Sequence, residues 1–362
     1  MPAPRRAPFR SAHSCRTVVP APSKKPNVPE VAPVPPSAIT PPGGSEASVS
    51  LSEVGEFGLI ARVTTDRRQP DTTLLGPGDD AAVVVAPDGR VVACTDVLVQ
   101  GVHFRLDWST PEQVGRKAAA ANLADVAAMG AVPTALLVGL ACPPSTPVDQ
   151  LEALADGLWA EASSVGAGVV GGDVASASTI VVSVTALGSL QGREPVTRAG
   201  ARAGDVVAFA GRLGFSAAGL AVLGRGFRSP AALVNAHRMP EPPYAAGPQA
   251  ALAGATSMID VSDGLLADLG HVARASGVVV DLRSAAFAVP DKLSEIAGAL
   301  GADPLQWILT GGEDHALVAT FGAGTALPEG WTAVGRVADG DPQVLLDGAP
   351  HDGAAGWDHF GA

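Results

Sequence analysis

The fold is decided by a stretch in the first half of the chain, Asn122-Leu-Ala-Asp-Val-Ala-Ala-Met-Gly-Ala-Val-Pro133. Its alanine-rich surroundings predict a buried helix over 112–129, and the apolar run that follows predicts a strand over 134–141. A glycine and a proline separate the two, so a helix followed by a strand fits better than a membrane span. Asp125 lies within the apolar helix, where an unpaired buried carboxylate is costly. We therefore expect a cation or a hydrogen-bond donor beside it.

Helices and strands are expected to alternate on both sides of this stretch. In the first half, the apolar patterns predict helices over 52–62 and 148–165 and strands over 81–85, 90–95 and 179–187. In the second half, they predict strands over 205–210, 258–261, 278–282 and 316–320 and helices over 216–223, 265–275 and 292–300. Pro87-Asp-Gly89 is a hairpin signal between the strands that flank it, and Ser52 is a candidate helix cap.

This alternation indicates an α+β protein built from two mixed halves of similar size. We expect a boundary near 190–204, with one domain over 49–195 and a second over 196–362. Residues 1–48 differ from both, because they hold proline-rich runs such as Val31-Ala-Pro-Val-Pro-Pro36. They are expected to form a disordered tail. Its Arg-rich, acid-poor beginning fits a transit peptide and fits an extended start equally well.

The charge balance limits the classes of function. The chain of 362 residues has 24 Lys and Arg against 36 Asp and Glu, a formal net charge of −12. Beyond the basic tail there are 18 basic and 34 acidic residues, a charge of −16, and the only lysines there are Lys117 and Lys292. Such a surface argues against nucleic acid as a partner. If the protein binds phosphates, we expect acidic residues that recruit divalent cations rather than a lysine cluster.

Cysteine use and hydropathy indicate a cytoplasmic protein. Cys15, Cys94 and Cys142 form no CxxC pair and are too few for a disulfide framework, so a reducing compartment is expected. The N-terminus has no uninterrupted apolar segment of the secretory type. We therefore expect neither secretion nor membrane attachment.

Common nucleotide-binding signatures do not account for the chain. Gly166-Ala-Gly-Val-Val-Gly171 matches GxGxxG, but it follows a predicted helix and precedes a strand, the reverse of the order that binds a pyrophosphate. No P-loop motif occurs. What remains is a set of acidic residues beside glycines near the ends of elements, Asp79, Asp80, Asp96, Asp125, Asp173, Asp260, Asp263, Glu313 and Asp314. Such carboxylates suit Mg²⁺, although any one of them could instead cap a helix or satisfy a turn.

These acids belong to motifs that follow one another in a fixed order. The motifs are Glu53-x-Gly-Glu-Phe-x-Leu-Ile, Gly78-Asp-Asp-Ala-Ala, Thr95-Asp-x-Leu-Val-x-Gly-Val-His-Phe104, the opening stretch, Gly171-Gly-Asp173, Thr197-Arg-Ala-Gly-Ala, Ile259-Asp-Val-Ser-Asp-Gly-Leu265, Gly311-Gly-Glu-Asp314 and Gly356-Trp-Asp-His-Phe360. Over about residues 52–360 the chain closely resembles the thiamine-monophosphate kinases. They belong to the superfamily that includes aminoimidazole ribonucleotide synthetase and selenophosphate synthetase.

The resemblance implies a fold and a reaction. The fold is a two-domain α+β architecture of the aminoimidazole ribonucleotide synthetase type. Its N-terminal half forms a β-barrel that spans a homodimer, and its C-terminal half is an α/β sandwich-like domain. The reaction is ATP-dependent phosphorylation of thiamine monophosphate to thiamine diphosphate, the final step of thiamine diphosphate biosynthesis. Because the acceptor is already an anionic phosphate monoester, direct in-line transfer without a general base or a phosphoenzyme is expected.

The resemblance also implies roles for single residues. Several Mg²⁺ ions are expected on Asp80, Cys94, Thr95, Asp96, Asp125, Asp173, Asp260 and Asp263, and a role for Asp79 is left open. Among these, Asp96, Asp125 and Asp263 are expected to be catalytic. Contacts with ATP are expected from Gly172, Arg198 and Ser262, and contacts with thiamine monophosphate from His103, Glu313 and Trp357. His103 and Trp357 could also be structural, and Lys117 is given no role because it could simply pair with a carboxylate.

The alternatives come from the same superfamily and from a different class. A selenophosphate synthetase is disfavoured because its reactive cysteine before a glycine-rich N-terminal loop has no equivalent here. A non-catalytic nucleotide- or cation-sensing module is disfavoured because residues on both the ATP side and the thiamine side are present. Ala124, Val174 and Ala199 each stand where the family usually has a hydroxyl, which is expected to change affinity rather than reaction class.

Overall fold

Helices and strands alternate through the described residues, 49–78 and 81–357, of a computed structural model of the chain. These residues belong to one unit, Ala47–Ala362. The predicted tail over 1–48, the acids Asp79 and Asp80, and residues 358–362 lie outside the described part. Division of this unit into domains at 195 remains a prediction.

The element bounds follow the chain order. The helices are α1 Leu51–Val54, α2 Glu56–Thr64, α3 Pro111–Ala128, α4 Val148–Ser164, α5 Phe215–Gly224, α6 Ala231–Arg238, α7 Ala246–Leu252, α8 Leu265–Ser276, α9 Asp291–Leu300 and α10 Pro304–Thr310. The strands are β1 Thr73–Leu75, β2 Val83–Val84, β3 Val92–Val99, β4 Val132–Cys142, β5 Gly168–Ser176, β6 Val181–Ser189, β7 Val206–Ala210, β8 Ala255–Val261, β9 Val279–Leu282, β10 Ala316–Phe321, β11 Trp331–Ala338, β12 Gln343–Leu346 and β13 Ala349–Pro350. None of the described helices is both long enough and apolar enough to cross a bilayer.

Two large sheets organise the described residues. The first has the strand order β3-β6-β4-β5, with β4 and β5 parallel and the other pairs antiparallel. The second has the order β13-β12-β9-β11-β7-β10-β8, and only β12 and β9 run parallel in it. This mixed content confirms the predicted α+β fold. Within the described residues the first sheet is open rather than closed into a barrel.

Helix α3 is buried over most of its surface, between the two sheets. Thirteen of its 18 residues are buried, and it contacts β3, β4 and β6 of the first sheet and β8 and β10 of the second. A helix that is apolar on every side is stable only where protein surrounds it, which explains its alanine-rich sequence. At Gly115 and Gly157 a Cβ would lie 1.9 and 2.0 Å from backbone oxygens of the facing helix, so glycine lets α3 and α4 pack closely.

Local predictions near the N-terminus were partly wrong. The single helix expected over 52–62 is broken at Gly55, whose φ is 75°, and Ser50 rather than Ser52 caps α1. The hairpin expected around Pro87-Asp-Gly89 does not form, because β2 pairs with β1 while β3 pairs with β6. The long-range pairing of β3 with β6 covers eight residues and takes β3 out of reach of a local hairpin.

Asp314 anchors the start of α5 from a buried position. Its Oδ1 accepts the N–H of Ser216 at 2.9 Å, whereas its Oδ2 finds no hydrogen-bond partner among the described residues. Burial raises the pKa of Asp314 to about 7, because the cost of burying its charge outweighs this hydrogen bond.

We predict that Asp314 makes the protein more stable at pH 5 than at pH 8. Its carboxyl loses its proton near pH 4 in the unfolded chain and near pH 7 in the folded chain. Stability therefore falls as pH rises between these values, by at most about 1.4 kcal/mol per pH unit. Asp314→Asn does not titrate, so urea unfolding should show a smaller loss from pH 5 to pH 8 in the variant. An equal loss in both proteins would contradict this prediction.

Candidate active site

A cavity of about 680 Å³ lies beside α3 and is also lined by β3, α5 and the loops that follow β3, β8 and α10. Segments from both halves of the sequence therefore meet in it. The predicted site residues that line this cavity are Asp96, His103, Asp125, Asp260, Ser262, Asp263, Glu313 and Trp357.

Three carboxylates lie together in this cavity. Asp96 extends from β3, Asp125 from α3 and Asp260 from β8. Burial and the charges of Asp260 and Asp96 raise the pKa of Asp125 to about 8. Burial also raises the pKa of Asp96. The three groups are thus close enough to repel one another, and they form a strongly anionic end of the cavity.

Neighbouring polar groups hold these carboxylates in place. The side chain of Asn122 accepts the N–H of Asp96 at 3.0 Å and donates to a backbone oxygen of α3 at 3.0 Å, which ties β3 to α3. The Nδ1 atom of His315 lies 3.1 Å from Oδ2 of Asp260. Burial opposes protonation of His315, but Asp260 raises the imidazole pKa overall. The sequence assigned no role to Asn122 or His315, because neither contact is local.

The donor set at this end fits magnesium. Carboxylate oxygens are the hard ligands that Mg²⁺ prefers, and a cation would relieve the repulsion that raises the pKa of Asp125. Within residues 49–78 and 81–357, no three His, Cys, Asp or Glu side chains are arranged to hold an ion by themselves. Ions here would therefore complete their coordination with water and substrate phosphates, as Mg²⁺ commonly does.

The loop that follows β8 brings Ser262 and Asp263 to the cavity. The Oδ2 atom of Asp268 accepts the N–H groups of Asp263 and Gly264, both at 3.1 Å. Gly264 has a φ of 137°, and a Cβ there would lie 2.7 Å from a backbone oxygen, so the tight turn requires glycine. The N–H of Trp357 donates to the carbonyl oxygen of Asp263 at 2.9 Å. This bond fixes the last described residue beside the loop.

Two of the residues predicted for the same site line a different cavity. Gly172 and Asp173 lie within β5 rather than near the end of an element. They line a second cavity of about 950 Å³, together with residues of α2, α4 and β4. The structure thus does not bring them into the cavity that holds Asp125.

Cys94 and Thr95 lie on opposite faces of β3, because successive side chains of a strand alternate. The Thr95 hydroxyl donates to a backbone oxygen of β6 at 3.0 Å, on the face away from Asp96. The Cys94 thiol is on the same face as Asp96 and donates to the carbonyl oxygen of Asn122 at 3.3 Å. Burial raises the pKa of Cys94, so its sulfur is a thiol rather than a thiolate. Asp79 and Asp80 are outside the described residues.

Arg198 lines neither of these two cavities. Its loop is hydrogen-bonded to Ser276 at the end of α8. The Ser276 hydroxyl donates to the carbonyl oxygen of Arg198 at 2.9 Å and accepts the N–H groups of Gly200 and Ala201, both at 3.1 Å. A serine in the last turn of a helix gives no sequence signal for such a role. Helix α8 thus begins beside Asp263 and ends on the Arg198 loop.

Comparisons with known proteins identify the family of this chain. Residues 78–190 match the family model "AIR synthase related protein, N-terminal domain". The thiamine-monophosphate kinase of Mycobacterium tuberculosis (strain CDC 1551 / Oshkosh) is 56% identical over 315 residues, which cover 87% of this chain and 94% of that relative.

Two solved structures share the fold. The thiamine-monophosphate kinase from Stenotrophomonas maltophilia K279a has a TM-score of 0.70 and 32% identity, covering 81% of this chain and 95% of its own. The structure of "AaThiL complexed with AMPPCP and TMP" has a TM-score of 0.71 and 32% identity, covering 86% and 99%. The family-model match identifies residues 78–190 as a domain of the AIR synthase-related class. Identity and coverage are more specific: the chain belongs to the thiamine-monophosphate kinase family.

We predict that Asp125→Asn stabilises the metal-free protein and removes its response to Mg²⁺. The amide keeps the shape of the side chain but removes a buried charge that its neighbours repel. In EDTA at pH 8.5, the variant should therefore melt a few degrees above the wild type. Added Mg²⁺ should raise the melting temperature of the wild type but not of the variant.

Glu112→Gln is the matched control, because Glu112 lies on α3 with its side chain 54% exposed and outside the cavity. It should respond to Mg²⁺ as the wild type does. An Asp125→Asn protein that is less stable in EDTA, or that still gains stability from Mg²⁺, would contradict the assignment.

Proposed function

We propose that this chain transfers the γ-phosphoryl group of ATP to thiamine monophosphate and so forms thiamine diphosphate. Membership of the thiamine-monophosphate kinase family supports this function. The neighbouring AaThiL structure is complexed with AMPPCP, an ATP analogue, and TMP. The observation that carries the proposal is one cavity that holds both the carboxylates around Asp125 and the carboxylate of Glu313. The first group suits cation-bound phosphates, and the second suits a cationic thiamine ring system.

The proposed magnesium ligands are Asp80, Cys94, Thr95, Asp96, Asp125, Asp173, Asp260 and Asp263. Because Asp173 lines the second cavity, it is proposed for an ion there rather than for one beside Asp125. These residues would hold Mg²⁺, and the ion would supply positive charge that reduces the repulsion between the two phosphate anions. The chain's own contribution is preorganisation, since Asn122 and His315 hold Asp96 and Asp260 before substrate arrives. The Cys94 sulfur is a thiol, and the Thr95 hydroxyl points away from Asp96. The backbone oxygens of these two residues are therefore the more suitable magnesium ligands.

Direct transfer is the proposed mechanism, because the acceptor needs no activation. A phosphate monoester has its second pKa near 6 and exposes an anionic oxygen at neutral pH. Within the cavity, Asp96, Asp125 and Asp263 are proposed to act by holding and aligning the reacting phosphates rather than by accepting a proton. No side chain is phosphorylated in this scheme.

Separate residues are proposed to bind the two substrates. Gly172, Arg198 and Ser262 are assigned to ATP, and the Ser276 contacts keep the Arg198 loop ready for it. His103, Glu313 and Trp357 are assigned to thiamine monophosphate. The Nδ1 atom of His103 accepts the N–H of Val99 at 3.0 Å, so in the neutral ring the proton is on Nε2. Trp357 is 63% exposed and can stack on a heterocycle.

A cytoplasmic homodimer is proposed as the working form. The face of the first sheet opposite α3 carries small and apolar side chains, and it includes Val97 and Leu137, which are 46% and 37% exposed. Their cross-strand neighbours on β6 are Ser183 and Thr185. Exposed apolar surface of this kind marks a protein interface. Two such sheets facing each other would make the dimer-spanning barrel.

We predict that the double variant Val97→Lys with Leu137→Lys shifts the protein to monomers, because lysines would be buried without partners at the interface. Sedimentation velocity measures the change. Leu252→Lys is the control, since Leu252 is 73% exposed on α7, away from this sheet. A double variant that sediments as the wild type would rule out this face as the dimer interface.

We predict that the purified protein forms thiamine diphosphate from ATP, Mg²⁺ and thiamine monophosphate. Asp125→Asn should lower kcat at least about 100-fold, because ordered charge at the reacting phosphates is lost, whereas Glu112→Gln should leave kcat unchanged. Product is measured by chromatography. A wild-type protein that makes no thiamine diphosphate and does not bind thiamine monophosphate would overturn the function and leave a sensing module or another superfamily activity.

A further inference from the structure

Two buried side chains contact the carboxylate of Glu313, one at each oxygen. The Nζ atom of Lys117 lies 3.0 Å from Oε1, and the Nδ1 atom of His237 lies 3.3 Å from Oε2. The Lys117 and His237 side chains are 5% and 8% exposed, whereas that of Glu313 is 33% exposed. The exposed part of the Glu313 carboxylate therefore faces the cavity, and Lys117 and His237 contact its buried side.

Lys117 connects two of the three predicted thiamine-binding residues, Glu313 and His103, to α3. Besides Glu313, its ammonium donates to the carbonyl oxygen of His103 at 3.0 Å. Lys117, Ala121 and Asp125 follow one another at four-residue spacing on α3, and all three line the cavity. Eight residues of α-helix rise about 12 Å. One rigid helix thus separates the Glu313 end of the cavity from the carboxylate end.

His237 acts as a neutral group of fixed position. Burial, and then the charge of Lys117, lower its pKa to about 4, so the imidazole is uncharged at neutral pH. Its Nδ1 atom also lies 3.1 Å from the Ser216 hydroxyl. The helices α5 and α6 that carry these residues pack closely at Gly219, where a Cβ would lie 2.1 Å from a backbone oxygen. With the proton on Nδ1, the neutral ring can donate to Oε2 of Glu313, 3.3 Å away, and so orient the carboxylate without cancelling its charge.

The backbone at Glu313 is also constrained, but it does not fix the side chain. Glu313 has a φ of 62°, and its N–H donates to the carbonyl oxygen of Ser262 at 2.8 Å. Burial opposes ionisation of the carboxyl, yet the Lys117 charge holds the pKa of Glu313 below its ordinary value. An ionised carboxylate has about four acceptor positions, so after two contacts it keeps capacity for a ligand.

We infer that Lys117 and His237 are positioning residues that hold the carboxylate of Glu313 directed toward the thiamine ring system of the substrate. This inference rests on the proposed function and adds two residues to it. It assigns Lys117 to substrate selection rather than to phosphate binding. It also requires that loss of either group weakens binding of thiamine monophosphate while ATP binding is preserved.

The test compares Michaelis constants for both substrates. Lys117→Met should raise KM for thiamine monophosphate about 10–100-fold, the range expected for a lost charged hydrogen bond, with KM for ATP changed less than about twofold. Lys117→Arg should restore part of the loss. His237→Leu should raise the same KM about tenfold, whereas His237→Asn should restore it, because an Asn amide can place a donor near the Nδ1 position. Lys292→Met, at an exposed lysine of α9, is the charge-matched control.

The possible outcomes distinguish a failure of the positioning roles from a failure of the proposed kinase function. An active wild type whose Lys117→Met and His237→Leu variants keep their KM for thiamine monophosphate would overturn the positioning roles and leave the kinase function intact. Equal rises in both Michaelis constants, or no difference between His237→Asn and His237→Leu, would show a merely structural role. If Lys117→Met does not fold, the His237 pair decides alone. A wild type without kinase activity overturns the function itself.

Discussion

Burial of most of α3 between the two sheets is the constraint on which the rest of the structure depends. This helix lies between the two sheets and must approach both closely, which explains its alanines and the paired glycines at its contact with α4. It nevertheless carries two charged side chains into the interior. Lys117 is satisfied by Glu313 and a backbone oxygen. Asp125 is surrounded by other carboxylates and remains in electrostatic conflict. Carboxylates with a pKa perturbed in this way cluster at functional sites, and a bound cation would relieve the repulsion.

The same burial explains how much of the fold could be predicted. The alanine-rich pattern of 112–129 predicted α3 to within one residue at each end, and β7, β9 and β10 of the second sheet were predicted nearly as well, whereas β11 was not predicted. Prediction failed for weakly apolar segments, such as the residues between 81 and 95. There the turn signal at Pro87-Asp-Gly89 was real, but pairing was decided by β1 and β6. Local turn chemistry cannot identify a distant partner strand.

For the site, sequence could identify the ligand types but not their grouping. Motifs singled out Asp96, Asp125 and Asp260, and the structure brings these together. The same motifs placed Gly172 and Asp173 with them, whereas β5 carries both residues to another cavity. The supporting contacts were beyond prediction. His315 with Asp260 and Ser276 with the Arg198 loop each join residues more than 50 positions apart, and they depend on the packing of α8 and β10.

The two ends of the cavity divide the chemistry between them. At one end repelling carboxylates suit cations and phosphates, and at the other an ionised Glu313 suits a cationic heterocycle. The acidity of the chain is therefore compatible with a reaction between two phosphate compounds. The most direct test is a single-turnover reaction with γ-labelled ATP, Mg²⁺ and excess thiamine monophosphate. Label should pass to thiamine diphosphate as fast as ATP is consumed, with none on the acid-quenched protein. Label released only as inorganic phosphate, or first held on the protein, would contradict direct transfer.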